Sequence, residues 1–192
     1  MTTWMLLDYG EVISTAQPSD ATAAMAELTG QDQATFRERY WLHRDAYDRG
    51  QPSHLYWSTV LGRTLAAGDP LVAELDAADV ESWSHLNPES LRAIDDLAGR
   101  HALALLSNAP EPMAAAIDDA PWSAAFDHRF YSCRMALSKP DPAIFEEVLR
   151  RLGAVPGDVT FIDDRAVNVD AAAALGINAL LYPEWPASPR TG

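Results

Sequence analysis

Three observations on the sequence converge on an α/β architecture. Short apolar runs end abruptly on polar residues: Trp4 to Leu7 before Asp8, Ala102 to Leu106 before Ser107-Asn108, and Val159 to Ile162 before Asp163-Asp164. Runs too brief for free-standing helices, bounded in this way, read as strands buried on both faces of a parallel sheet. From Asn87 onward helix-like and strand-like segments alternate, as they do when helices cover such a sheet. Between Ile13 and Asn87, by contrast, roughly seventy residues keep a helical period. The expected fold is α/β, a Rossmann-like parallel sheet core from residues 1–13 and 87–192, with a small all-helical cap from residues 14–86 inserted after the first strand.

The elements follow from local signals. Ser14 to Pro18 is the crossing into the insert. Asp20 to Leu28 is Ala-rich and closes at Gly30; Asp32 to Asp48 opens on a capping Asp and closes at Gly50; Ser53 to Leu65 follows a Pro; Leu71 to Trp83 follows Asp69-Pro70. Each has a helix start signal, and the first two also have a glycine stop. These helices carry Tyr40, Trp41, Tyr47, Tyr56, Trp57 and Trp83, for which packing of a small bundle is the expected role rather than stacking on a substrate. Ser84 to Pro88 is the return crossing, so the insert is expected to move as a lid over the strand ends. In the core, helices are expected from Asn87-Pro88 to Ala98, Pro110 to Asp118, Pro142 to Leu152 and Arg165 to Leu175. Further strands are expected at Arg129 to Tyr131 and Ala179 to Tyr182, with an irregular tail from Pro183.

Composition narrows the classes of function. With 192 residues, 48% apolar and 22% charged, the chain is that of a folded protein with a sizeable core. Lys and Arg number 14 against 28 Asp and Glu, a formal charge of −14, which disfavours sequence-independent binding to nucleic acid or to anionic membranes. Cys133 is the only cysteine, so there is neither an intrachain disulfide nor a Cys-rich zinc site. The apolar start is broken by Asp8 before signal-peptide length, and no run reaches transmembrane length, so the expected location is the cytoplasm. Nothing in the sequence bears on oligomeric state.

The chemistry is expected where the strands end, because ligands of open α/β sheets bind beyond the carboxyl ends of the strands. Asp8, Ser107-Asn108, Lys139-Pro140 and Asp163-Asp164 all fall there or in the loops above. Taken singly, each has a plain role: Asp8 and Asp164 as helix or turn caps, Ser107 and Asn108 as turn formers, Lys139 as a solvated loop residue. Taken together, Asp8, Asp163 and Asp164 on one rim would repel one another unless a cation joined them. A hard divalent ion with oxygen ligands, magnesium above all, answers that repulsion.

The order and spacing of these residues resemble the haloacid dehalogenase-like hydrolase superfamily. The resemblance rests on Leu7-Asp8-Tyr9-Gly10-Glu11-Val12, Leu105-Leu106-Ser107-Asn108, Ser138-Lys139-Pro140-Asp141-Pro142 and Phe161-Ile162-Asp163-Asp164-Arg165-Ala166-Val167-Asn168, in that order. The helical insert directly after the first motif resembles the small cap of the phosphatase branch that includes glucose-1-phosphatase-like enzymes and the phosphatase domain of epoxide hydrolases. The resemblance implies a phosphatase acting on a small phosphorylated metabolite, a sugar phosphate being one such substrate. Asp8 would be the nucleophile that forms an aspartyl-phosphate and also a metal ligand. The Ser107 hydroxyl and Asn108 N–H would hold phosphate oxygens, and Lys139 would balance the charge of Asp8 and phosphate. Asp163, Asp164 and the Gly10 carbonyl would complete the magnesium site, with Asp164 the surer ligand. Asn168 falls where many members carry an acid that fixes the lysine.

One departure matters. Phosphatases of the superfamily usually place a second aspartate two residues after the nucleophile, and here that residue is Gly10. General acid catalysis contributes about 10²–10⁴-fold, so its loss weighs most on poor leaving groups. Glu11 is an improbable substitute if the segment is extended, because neighbouring side chains then point to opposite sides. Two other readings stand beside the phosphatase: a 2-haloacid dehalogenase, disfavoured by the Asp163-Asp164 pair, and a non-catalytic phosphate-ligand binding or regulatory protein, which Gly10 keeps open. Arg44, His43 and His54 are candidates to reach the site from the insert, with a solvated insert face as their plainer role.

Overall fold

The computed structural model describes residues 3–186. Five parallel strands, β1 (Trp4–Leu7), β2 (Ala102–Ser107), β3 (His128–Tyr131), β4 (Val159–Asp163) and β5 (Asn178–Leu181), form one sheet in the order β3-β2-β1-β4-β5. β1 is central: Leu7 lies opposite Leu105 on one side and Ile162 on the other. The chain leaves β1 in one direction to build β2 and β3 and later crosses to β4 and β5, so the switch in strand order falls at the carboxyl end of β1.

Alternate β1 side chains serve two cores. Met5 and Leu7 pack with Ile94 and Leu97 of α6 (Pro88–Ala98) and with Met113 and Ile117 of α7 (Glu111–Asp119). Leu6 packs on the other face with Ile144, Phe145 and Val148 of α9 (Pro142–Leu152) and Ala172 of α10 (Ala166–Ala174). That burial on both faces is what the uninterrupted apolar runs encode.

The insert holds α1 (Ala21–Thr29), α2 (Gln33–Leu42), α3 (Arg44–Asp48), α4 (Ser53–Leu61) and α5 (Pro70–Trp83). They gather around an apolar cluster of their own that includes Phe36, Tyr40, Tyr47, Tyr56 and Trp57. The helix expected over Asp32 to Asp48 is divided at His43 (φ −104°, ψ 2°), past which Arg44 turns inward to Asp79. The helix expected to reach Leu65 stops at Leu61, because Gly62 takes the left-handed conformation (φ 64°) and the Ser58 hydroxyl accepts the Leu65 N–H. Three short elements carry no periodic signal: 3-10 turns at Pro121–Ala125 and Pro156–Asp158 and the single-turn helix α8 (Ser132–Met135). The expected irregular tail holds as far as Pro186, and residues 187–192 lie outside the described range.

Core and insert are joined by two antiparallel segments. Ser14 and Leu86 form a β-bridge, flanked by Thr15 N–H to His85 O (2.6 Å) and Asn87 N–H to Ile13 O (2.8 Å). A second contact lies elsewhere: the Ser132 hydroxyl of α8 donates to the Asp48 carbonyl, and Gly50 packs on the Cys133 carbonyl. No described helix is long and apolar enough to cross a membrane.

Candidate active site

The sequence-named residues converge at the end of β1. Asp8 leaves the strand with its N–H on Ile162 O (2.9 Å) and is 7% exposed. Its Oδ1 is held twice, by Lys139 Nζ (2.8 Å) and by the Tyr9 N–H (2.7 Å). Among the described residues Oδ2 has no hydrogen-bond partner, so one oxygen is fixed and the other is presented.

Lys139 is buried, and its ammonium spends its three protons on Asp8 Oδ1, Asp163 Oδ2 (2.7 Å) and Leu106 O (3.0 Å). It reaches this position because Asn108 clamps its backbone: Asn108 Nδ2 donates to Lys139 O and Lys139 N–H donates to Asn108 Oδ1, both at 2.9 Å. Burial alone would lower the Lys139 pKa, but the two carboxylates outweigh it and hold it raised.

Asp163 is fully buried, with Oδ1 accepting from Arg165 N–H (2.9 Å) and Asn168 Nδ2 (2.8 Å). Asn168 therefore steadies Asp163, whereas Lys139 is oriented by the carboxylates themselves and by Leu106. Burial raises the Asp163 pKa, yet Lys139 and these hydrogen bonds bring it below the usual carboxylate range. Asp164 is only partly buried; burial and the charges of Asp163 and Glu11 push it up to about 6. Asp8 is pushed up to about 8, by burial first and by Asp163 and Asp164 against the pull of Lys139.

Carboxylate oxygens of Asp8, Asp163 and Asp164 lie within 4.8 Å of one another. Asn168 Oδ1, on a side chain 1% exposed, has no hydrogen-bond partner. An all-oxygen donor set with too many negative charges and an unsatisfied buried acceptor nearby fits a hydrated hard cation such as magnesium.

The turn after Asp8 departs from expectation. Positive φ falls on Glu11 (57°) and not on Gly10, where a Cβ would meet only Trp83 Cζ3 at 3.9 Å. The chain coils at once after Asp8, with Ile13 and Ser14 N–H both on Tyr9 O, so the alternation of an extended strand does not apply. Glu11 consequently lines the cavity above Asp8 instead of pointing away.

That cavity, about 360 Å³, lies between the strand ends and the insert. Asp8, Ser107, Asn108, Lys139, Asp164 and Asn168 line the core side, and Trp41, Arg44, Asp48 and Trp83 the insert side. Arg44 is thus a lining residue held by Asp48 and Asp79, while His43 lies apart and His54 borders a separate surface depression. Tyr40, Tyr47, Tyr56 and Trp57 are packing residues as expected; Trp41 and Trp83 are not wholly so. The sequence assigned Trp41 and Trp83 to packing and did not single out Asp48 or Met113. The spacing of Trp41, Arg44 and Asp48, i, i+3, i+7, was the available signal, since it would place them on one side of the helix expected over Asp32 to Asp48.

Residues 8–176 match the family model of the haloacid dehalogenase-like hydrolases. Flavin mononucleotide hydrolase 1 of Arabidopsis thaliana is 42% identical over 60 residues, 31% of this chain and 24% of that protein. Bifunctional epoxide hydrolase 2 of Sus scrofa is 38% identical over 56 residues, 29% of this chain and 10% of that protein. The matches span no more than 24% of the length of these curated relatives. Among solved structures, a HAD family enzyme of Bacteroides thetaiotaomicron in complex with magnesium and inorganic phosphate superposes with a TM-score of 0.78 at 19% identity, over 96% of this chain and 98% of that one. A 2-haloacid dehalogenase of Pseudomonas syringae pv. Tomato superposes at 0.68 and 17% identity, over 99% and 91%. At these identities the structures establish a shared fold.

Proposed function

Because the chain belongs to the haloacid dehalogenase-like hydrolase family and is a hydrolase of that α/β fold, we propose that it is a magnesium-dependent phosphatase of a small phosphorylated metabolite. The carrying observation is the asymmetry of Asp8: Oδ1 is pinned by Lys139 and Tyr9 N–H, and Oδ2 is presented to the cavity. A carboxylate so held is a preorganised nucleophile.

Asp8 attacks phosphorus, the bond from phosphorus to the leaving oxygen breaks, and an aspartyl-phosphate forms. Gly10 has no proton to give, so the leaving oxygen takes its proton from water. A second water then attacks phosphorus, releasing inorganic phosphate and restoring the Asp8 carboxylate. The Ser107 hydroxyl and the Asn108 N–H hold phosphate oxygens, and Lys139 offsets charge shared by Asp8 and the phosphoryl group. Asp8, Asp164 and the Gly10 carbonyl hold magnesium, with Asp163 adding charge and the lone pair that its hydrogen-bonded oxygens leave. When bound, the ion neutralises phosphoryl charge. Residues 14–86 act as the cap and residues 1–13 and 87–192 as the catalytic core.

The flavin mononucleotide hydrolase relative and the magnesium- and phosphate-bound structural neighbour support this reading. Against a dehalogenase stands the Asp163-Asp164 pair, which would repel a carboxylate substrate. The test is phosphate release from 4-nitrophenyl phosphate with and without magnesium. Release that needs magnesium and vanishes in Asp8→Asn supports the phosphatase; no release in the parent protein overturns it, as a dehalogenase or a non-catalytic binder would require.

A further inference from the structure

The insert side of the cavity is aromatic. Trp41 of α2 is 46% exposed although it borders the cavity, and Trp83 at the end of α5 borders the same space. Their rings stand at 89° with centroids 6.5 Å apart, forming a corner that offers one ring face and one ring edge. Trp83 Cζ3 lies 3.9 Å from the Cβ position of Gly10, so the corner rises directly beside the turn that follows Asp8. Met113 of α7 adds a thioether to the lining.

On this side the Arg44 Nε and Nη1 groups are committed. Arg44 Nη1 binds both Asp79 oxygens (3.1 Å) and the Tyr40 hydroxyl (2.6 Å), and Arg44 Nε binds Asp48 Oδ1 (2.8 Å). Asp48 Oδ2 has no hydrogen-bond partner among the described residues, which leaves one oxygen of this cavity-lining carboxylate free to accept. A sugar set against the two tryptophans would leave the hydroxyls on that side without partners, at a cost of about 1–3 kcal/mol for each buried polar group. A flat π-system needs only a ring face and suffers no such penalty.

Resting on the phosphatase reading above, we infer that the substrate is a phosphate monoester whose leaving part is a flat aromatic or heteroaromatic group, seated in the corner of Trp41 and Trp83 with an N–H or O–H directed to Asp48. The missing proton donor at Gly10 agrees with this class, since an aryl oxygen departs as a stabilised anion.

The test separates binding from turnover. Calorimetry on the magnesium-loaded protein would compare 1-naphthylmethylphosphonate with methylphosphonate, and kinetics would compare 1-naphthyl phosphate, glucose 1-phosphate and acetyl phosphate. The expected result is tenfold or greater preference for the naphthyl ligand, falling below threefold in Trp41→Leu and Trp83→Leu, and a higher kcat/KM for 1-naphthyl phosphate than for glucose 1-phosphate. Equal binding of the two phosphonates, or a preference untouched by both variants, overturns the aromatic seat even if acetyl phosphate is hydrolysed. A naphthyl preference that depends on the tryptophans, with no turnover of any ester, upholds the seat and overturns the phosphatase.

Discussion

A Cβ built on Gly50 would stand 2.7 Å from the carbonyl oxygen of Cys133, so insert and core meet there backbone to backbone. Gly50 also has φ 98°, and the neighbouring Asp48 carbonyl accepts the Ser132 hydroxyl while its carboxylate borders the cavity. Gly50→Ala forces this contact apart and strains the backbone by about 1–3 kcal/mol. The expected outcome is a lower melting temperature and at least a tenfold loss of kcat/KM, carried mainly by KM. Parent-like values of both would show that the contact does not close the cavity.

Among the described residues, Lys139 is the only ammonium between Asp8 and Asp163. Lys139→Met leaves two buried carboxylates without their cation, and breaking such a pair costs about 3–5 kcal/mol. Chemical denaturation of the metal-free variant above about pH 8, where Asp8 is ionised in the parent, should register a loss of this order, with magnesium recovering part of it. A variant as stable as the parent would mean that the carboxylates are not both charged in the folded chain.

Asp8 ionises near 3.8 when unfolded but is held up to about 8 in the folded chain, and Asp48 and Asp164 are both raised to about 6. Between the unfolded and folded values the native state binds more protons, so these groups make the metal-free protein less stable as pH rises from about 4 to about 8. Magnesium favours the ionised forms and should flatten the decline. The measurement is the stability difference between the parent and Asp8→Asn against pH; a difference constant from pH 4 to 8 would contradict the raised Asp8.

A Cβ on Gly10 would make only an ordinary contact with Trp83 Cζ3, and Gly10 has no positive φ, so Gly10→Ala should fold normally. Gly10→Asp adds a proton donor two residues from Asp8 and should help alkyl phosphates more than aryl phosphates, by up to the ~10²–10⁴-fold that general acids supply. Kinetics that match Gly10→Ala on every ester would remove position 10 from the leaving-group side.

The strand ends were legible because a buried apolar run that stops on a carboxylate leaves little choice of place: Asp8, Ser107 and Asp163 all fall where the sheet terminates. Lys139 was legible through its motif, since nothing in its local pattern announces a buried ammonium. The roof was not. A helical period separates inside from outside but does not tell a core-facing side from a cavity-facing one, so Trp41 and Trp83 looked like Trp57. Glu11 was set aside for a different reason: an extended segment would have pointed it away, whereas the chain coils directly after Asp8 and takes positive φ at Glu11.

The paired segments between core and insert have a mechanical consequence. Two strands laced at Ile13–Asn87, Ser14–Leu86 and Thr15–His85 make a ribbon that resists stretching along its length and shearing within its plane, but bends across its thin dimension. Single-chain linkers would let the insert tumble. A ribbon would confine any swing of the insert to one arc, and the end of that arc seen here sets Trp83 beside Gly10.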